Sequence, residues 1–536
     1  MPSLPCPNQP VSPPTQLCRF WKGLAFFNYR RFIMWFSSHV IVSTTASFCL
    51  ARGAYASLII GRSDIYAIFA NAKWSANTTV SYPGSECFNA STERWSVFDP
   101  PTFSAAISPA TERDVVKAVK LATRHSIPFL ATGGRHGYTT TLEALRDGLA
   151  IDLSQFNTVS IDKSAAAMTI GGAVRFRDIY DPVFEAGFEI QTGTCSCPGM
   201  VGVTLGGGVG PWGGVHGLII DALLSLRVVT ASGLVVEVSN TSNPDLFWAF
   251  RGAGANFGIV ISATYQLQRQ VNGGQILTAD FIITADRIGP YFDLLDTYNN
   301  GNLPKLLSIT SIMSYNATAD VPQISATWAY LGPEDEGLKA FAPIFALNPI
   351  VTGVQTFPWN KVIEGVAGGA DAFNCLNGAE HSVYDVNGRK ISGDTYKMVF
   401  DKLSVFYEQN PDGRESLVQI DLFPNQAMLA TPDDATAYPW RDTIALHDIE
   451  FILDPGNTTL KDVTNSLALQ LRSDIVATSG YPDLATYINS AHGDETLEQK
   501  YGAEKVPRLI ALKKIWDPKS VFSFNNAIPT EYERHF

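Results

Sequence analysis

The 536-residue sequence is poor in charge, and poorest in positive charge. Charged residues make up 17% against 46% hydrophobic, a balance that excludes a disordered chain and fits a well-filled core. The 39 Lys and Arg are outnumbered by 51 Asp and Glu, for a formal net charge of -12. A surface of that sign repels phosphate backbones, so nucleic acid is excluded as a partner. No pair among Cys6, Cys18, Cys49, Cys87, Cys195, Cys197 and Cys375 has CxxC spacing, and no Cys/His grouping has zinc-ligand spacing, so no metal site is expected. No internal repeat is visible. Long uncharged apolar runs are also lacking, apart from residues 32–51.

That run follows Arg30-Arg31 and precedes Ala54-Tyr55-Ala56. Basic flank, apolar stretch and an A-x-A site make a secretory signal, with cleavage expected near Ser57. An uncleaved membrane anchor is the rival reading, because about 20 apolar residues can cross a bilayer. Met34 offers a second possible start. Five N-x-[ST] sequons, at Asn77, Asn89, Asn240, Asn316 and Asn457, agree with a secretory route.

The remainder reads as mixed α+β. A capping-type Ser108 and the early acids of Thr111-Glu-Arg-Asp open a helix whose Val115, Val116, Val119 and Ala122 form an apolar face. Short strands are expected at 127–130, 149–153 and 167–171, a helix at 176–186, and a hairpin from 226 to 238 turning at Ala231-Ser-Gly. Beyond residue 268 the glycine clusters stop. Strands at 307–313, 323–330, 416–423 and 443–453 alternate with helices, as in a unit built on an antiparallel sheet. A last helix is expected at 506–516, halted by Asp517-Pro518.

Three glycine-rich segments carry the chemistry. Thr132-Gly-Gly-Arg-His-Gly-Tyr138 follows a strand, and successive backbone N–H groups in such a loop form a nest for a pyrophosphate. The segment from Gly193 to Gly210 has too many glycines for a regular element and too many apolar residues for a linker, as expected where backbone lies against a large planar ligand. Its Gly208-Val-Gly-Pro-Trp-Gly213 matches the dinucleotide pattern G-x-G-x-x-G, yet a hairpin follows where the Rossmann fold and its NAD would need a helix and strand. Third is Asp245-Leu-Phe-Trp-Ala-Phe-Arg-Gly, running into another glycine-rich turn and a strand.

In order and spacing these segments resemble the berberine bridge enzyme-like FAD-linked oxidases of the vanillyl-alcohol oxidase superfamily, fungal type. Tyr501-Gly, Asp517-Pro and Phe524-Asn-Asn-Ala-Ile-Pro529 resemble that family's closing signature. The resemblance implies a two-part FAD-binding domain formed by both flanks (residues 95–267 and 496–536) around a substrate domain (268–495), after a lead-in (1–56) and an N-terminal segment (57–94). It implies FAD bonded to His136 and, in bicovalent members, to Cys195; Cys197 two residues on is a departure from the family. Thr132, Gly133, Gly134, Arg135 and Gly137 would wrap the pyrophosphate. Gly202, Gly206, Gly207, Ile259, Val260 and Asn526 would line the cofactor. Asp421, in a loose echo of the family's acidic substrate-side motif, is the candidate base, and Tyr138 the candidate hydroxyl beside it. The expected activity is oxidation of a small organic molecule in specialised metabolism, with molecular oxygen reduced to hydrogen peroxide. A secreted carbohydrate oxidase and an inactive flavin-binding protein are the alternatives. If flavin occupies Cys195, one disulfide at most is expected in the mature chain, pairing Cys87 with Cys375 or Cys197.

Overall fold

A computed structural model describes residues 62–531. The apolar run 32–51, the cleavage position and Cys6, Cys18 and Cys49 lie outside these residues. Among the described residues no helix is long and apolar enough to cross a membrane.

The helix Glu112–Arg124 buries Val115, Ala118, Val119 and Ala122, the stripe its spacing demands. Its N-cap is Thr111, whose side chain accepts from the Asp114 amide. Ser108, expected in that role, instead ends the strand Phe103–Ser108, because Pro109 separates it from the helix. This strand lies parallel to Gly148–Asp152, which lies parallel to Phe129–Thr132, while Thr79–Ser81 pairs antiparallel on the outer edge. The central strand is buried along its whole length, as parallel strands covered on both faces are.

A second sheet of five antiparallel strands runs in the order Val159–Asp162, Ala167–Gly171, Ile259–Gln266, Leu223–Val229, Val235–Ser239. Its last two strands are the expected hairpin. The aromatic helix Pro244–Ala253 and the closing helix Val506–Trp516 share one core with this sheet. Lys513 and Asp517, both buried, pair at 2.7 Å, and Lys513 also donates to the carbonyls of Asn256 and Phe522. The C-terminus is thereby fastened to the first half of the chain.

The third sheet has seven antiparallel strands, in the order Ile350–Pro358, Gln275–Ile283, Val321–Tyr330, Leu307–Asn316, Leu417–Leu422, Ala445–Leu453, Glu380–Gly388. Strand alternation decides what each face carries. Val418, Ile420 and Leu422, with Ala445, Ile449 and Phe451, enter a core shared with the helices Gly393–Gln409 and Thr458–Val476. Gln419, Asp421, Leu446, Asp448 and Glu450 fall on the opposite face, toward the glycine-rich loops.

Candidate active site

The two parts of the molecule enclose one long cleft of about 410 Å³, within the range that holds cofactors. Its floor comes from the glycine-rich loops, one end from residues 522–526, and its far wall from the seven-stranded sheet through Asp421, Phe423, Leu446 and Asp448. The C-terminal end is tied in by polar contacts. Tyr501 donates to the Asn526 carbonyl at 2.7 Å, and Thr141 donates to the Phe524 carbonyl and accepts from the Asn526 amide. Chain segments almost 400 residues apart thus share one wall, which the closing signature alone does not reveal.

In the first loop, Gly133 and Gly134 are required by close backbone crossing. A Cβ on Gly134 would collide with the backbone nitrogen of Gly199, and one on Gly133 with the Gly172 carbonyl. Arg135 adopts a positive φ of 57°, so the loop folds back on itself as an anion nest does. The Arg135 guanidinium is held by Asp152 at 2.8 Å, leaving the loop's backbone to face the cleft. Gly137 and Gly202 line the cleft with nothing within 4 Å of a Cβ position.

His136 is half-buried, and its ring stacks on Trp95 with centroids 4.3 Å apart; Trp95 stacks in turn on His381 at 3.7 Å. His381 is paired with Glu450 at 2.6 Å. Burial first, then the nearby His381 and Arg175, lower the His136 imidazole to about 3, so the ring is neutral with a free lone pair at physiological pH. His136 Nε2 is buried without a hydrogen-bond partner, as are Thr132 Oγ1 and Asn526 Oδ1 in the same cleft. Orphaned polar atoms of this kind mark a missing ligand. Together with the loop geometry they fit FAD.

Cys195 also lines the cleft and carries a free thiol. Cys197 forms a disulfide with Cys375, so neither pairing expected for Cys87 occurs. The reason is spatial: the helix Asp371–Asn374 packs against the loop, with Asp371 accepting from the Ser196 amide and hydroxyl, and so delivers Cys375 to Cys197. Cys195 Sγ lies 3.1 Å from Cys197 Sγ and 3.6 Å from Cys375 Sγ. Burial pushes its thiol up to about 12. Ligand atoms of His136, Cys195 and Cys197 cluster within 4.8 Å, but the disulfide removes Cys197 as a thiolate ligand.

Of the other expected residues, Gly206, Ile259, Val260 and Asn526 line the cleft. Gly207 does not: with φ +124° it packs under the Tyr438 ring, its conformation set by that contact rather than by a cofactor. Asp421 is buried in the far wall, accepting from Thr310 at 2.5 Å and Gln419 at 2.8 Å, and burial raises its carboxyl to about 6. Tyr138 donates to Ser490 Oγ at 3.1 Å. Trp95, Asp448 and the segment Tyr487-Ile-Asn-Ser490 were not foreseen. Glu380–Gly388 and Ala445–Leu453 are separated by 56 residues, so only their pairing places His381 and Asp448 at the site.

Comparison with known proteins agrees with this geometry. A family described as "FAD binding domain" matches residues 103–239, and one described as "Berberine and berberine like" matches residues 486–529. An FAD-linked oxidoreductase of Pyricularia oryzae is 46% identical over 88% of this chain and 92% of that protein. Another from Aspergillus ruber is 46% identical over 86% and 93%. The xylooligosaccharide oxidase from Myceliophthora thermophila C1, solved with xylobiose, superposes at a TM-score of 0.73 with 22% identity, covering 85% of this chain and 98% of that one. The glucooligosaccharide oxidase from Acremonium strictum, described with a 6-S-cysteinyl, 8α-N1-histidyl FAD, gives 0.74 with 22% identity over 88% and 100%. At these identities the two structures establish a shared fold. The sequence relatives establish more: the chain is an FAD-linked oxidoreductase and belongs to the fungal berberine bridge enzyme-like family.

Proposed function

We propose that this oxidoreductase is an oxidase that holds FAD covalently through His136 and Cys195, oxidises a small organic molecule of fungal specialised metabolism, and passes the electrons to dioxygen with release of peroxide. The observation that supports covalent attachment is His136 Nε2, neutral, buried and unpartnered in the cleft wall. When bound, FAD supplies the acceptor for two electrons and a proton from a substrate C–H. The chain's own residues do the rest. The nested loop 132–137 fixes the pyrophosphate, and the far wall holds the substrate against the cofactor and excludes water. Tyr138 takes up the proton of the reacting hydroxyl or amine, and Asp421, its carboxyl raised toward neutrality by burial, lies in the same wall as the acid beside it.

Phe423, Leu446 and Val209 give the lining an apolar part alongside the acids, Tyr138 and Ser490. It suits a largely apolar organic molecule with one reacting polar group. An oligosaccharide would need several further hydrogen-bonding groups there. The carbohydrate-oxidase reading therefore stands second, supported by the fold of the oligosaccharide oxidases. The test is an absorption spectrum of the purified protein, followed by anaerobic bleaching with a panel of aromatic alcohols, amines and cello- and xylo-oligosaccharides. A yellow protein bleached by an aromatic alcohol or amine supports the proposal. Bleaching by oligosaccharides alone replaces it with the second reading. A yellow protein that nothing bleaches is the inactive flavin-binding alternative.

A further inference from the structure

Asp448 lines the same cleft as Asp421 but is placed differently. Asp421 has both oxygens engaged, one by Thr310 and one by Gln419. Asp448 Oδ1 is buried with no partner. Ser490 lines the cleft with it and favours its charged form, and Ser490 Oγ is the atom that accepts from the Tyr138 hydroxyl. Having accepted from Tyr138, Ser490 has one proton to give, and Asp448 is placed to receive it. The contacts run in one direction, from the phenol beside the flavin-attachment loop, through a serine, to a carboxylate with an open oxygen.

The surroundings suit a group that gains a proton. Asp448 faces Asp385, its register partner on the adjacent strand, as well as Asp421 on the other neighbouring strand, Glu450 on its own strand, and Tyr138 and Ser490 from the loops. Asp385 Oδ2 is likewise buried and unpartnered, while its Oδ1 accepts from the Tyr487 amide. The nearby basic side chains are engaged elsewhere: the His381 ring is bonded to Glu450, and Arg472 pairs with Asp494 and Glu495. Burial, followed by these like charges, raises Asp448 and also Asp385 above the usual carboxylate range. Two adjacent buried acids of this kind titrate as a pair and hold one proton readily.

We propose that Tyr138, Ser490 and Asp448 form a proton relay in which Asp448 is the terminal acceptor. This rests on the oxidase reading above. The bookkeeping is simple: the substrate's O–H or N–H proton passes to Tyr138 Oη, the Tyr138 proton to Ser490 Oγ, and the Ser490 proton to Asp448, which ends as a neutral acid. The hydrogen on the substrate carbon leaves separately with its electron pair. Asp448 acts through its neighbours and is a positioning residue, with Tyr138 as the group that meets substrate.

The test uses holoprotein in three variants, Asp448→Asn, Asp421→Asn and Ser490→Ala, with two readouts. The first is an infrared titration of the carboxylic-acid C=O band, which needs no substrate. Wild type should show a component ionising near 7 that is lost in Asp448→Asn and kept in Ser490→Ala, beside a separate component near 6 that is lost in Asp421→Asn. The second is the pH profile of anaerobic bleaching with the active probe from the panel above. Asp448→Asn and Ser490→Ala should each slow bleaching on the order of 100-fold and remove the limb near neutrality. A spectrum in which Asp448→Asn loses no component overturns the relay, as does a Ser490→Ala profile identical to wild type. Absence of flavin absorbance, or a flavin that no probe bleaches, counts against the underlying oxidase reading, and the infrared band then decides the state of Asp448 alone.

Discussion

Trp95 lies flat on His136, with ring centroids 4.3 Å apart and planes 14° apart. The indole is itself fixed: its Nε1 donates to the Asn374 carbonyl at 2.8 Å, and its other face is covered by His381 at 3.7 Å. His136 is therefore held in one orientation by a ring outside the glycine-rich loop. A stack of this kind contributes about 1 kcal/mol. His136→Ala combined with Cys195→Ser should release all flavin into the supernatant on acid precipitation, whereas wild type keeps it in the pellet and His136→Ala alone keeps only what Cys195 holds. Trp95→Ala should lower the covalent fraction several-fold without abolishing it. A colourless wild-type pellet would refute attachment at His136.

Cys195 and Cys197 differ in availability, and this decides which sulfur can bond the cofactor. Cys197 is spent on Cys375, while Cys195 keeps its thiol and faces the cleft. Peptide mapping should find flavin on the histidyl peptide and on Cys195. Cys195→Ser should leave a single histidyl bond, and Cys375→Ser, which frees Cys197, should still give attachment at Cys195. Because burial pushes the Cys195 thiol up to about 12, formation of the second bond should speed up with rising pH. Flavin on Cys197 in wild type would reverse this assignment.

Several elements could be read from the sequence because their information is local. The strand Ala167–Gly171 and the helix Val506–Trp516 fall where their periodicity puts them, and the hairpin turns at Ala231-Ser-Gly. The first two glycine segments were read as an anion nest and as backbone beside a planar ligand, and residues of both line the cleft. What was not readable depends on pairing between distant strands. Asp448 sits in an ordinary alternating strand, and only the register with Leu417–Leu422 sets it on the same face as Asp421. The Cys197–Cys375 disulfide spans 178 residues and depends on how a short helix docks, which spacing does not encode. Gly207 lies in the same glycine run but outside the cleft lining, with the Tyr438 ring where a Cβ would stand.

Asp421 should leave a signature in stability against pH. Burial raises its folded-state carboxyl from an ordinary 3.8 to about 6. The folded protein therefore holds this proton more tightly than the unfolded chain. That contribution is fully present below about pH 4 and is lost as pH rises through about 6, where a buried charge must form. The loss is at most about 3 kcal/mol. Asp421→Asn removes the charge but keeps the shape. Its melting temperature should match wild type near pH 4 and exceed it at pH 8. Equal melting temperatures at pH 8 would show that Thr310 and Gln419 stabilise the charged form enough to cancel the burial cost.

The five sequons are unequal in the folded protein, and this gives the secretory reading a site-by-site test. Asn77, Asn89 and Asn240 are exposed. Asn316 is half-buried, with its Nδ2 donating to Gln323 at 2.8 Å and its Oδ1 accepting from the amides of Thr318 and Ala319. A glycan on that nitrogen would break the contact and open the end of the hairpin Leu307–Asn316 and Val321–Tyr330. Asn457 is intermediate: its Oδ1 caps the helix Thr458–Val476 by accepting from the Leu460 amide, which leaves Nδ2 for modification. Glycopeptide mapping of protein from its native host should find Asn77, Asn89 and Asn240 occupied, Asn457 partly occupied and Asn316 bare. If all five are bare and the chain begins at Met1, secretion is wrong. If Asn316 carries a glycan, the chain is modified before that hairpin closes.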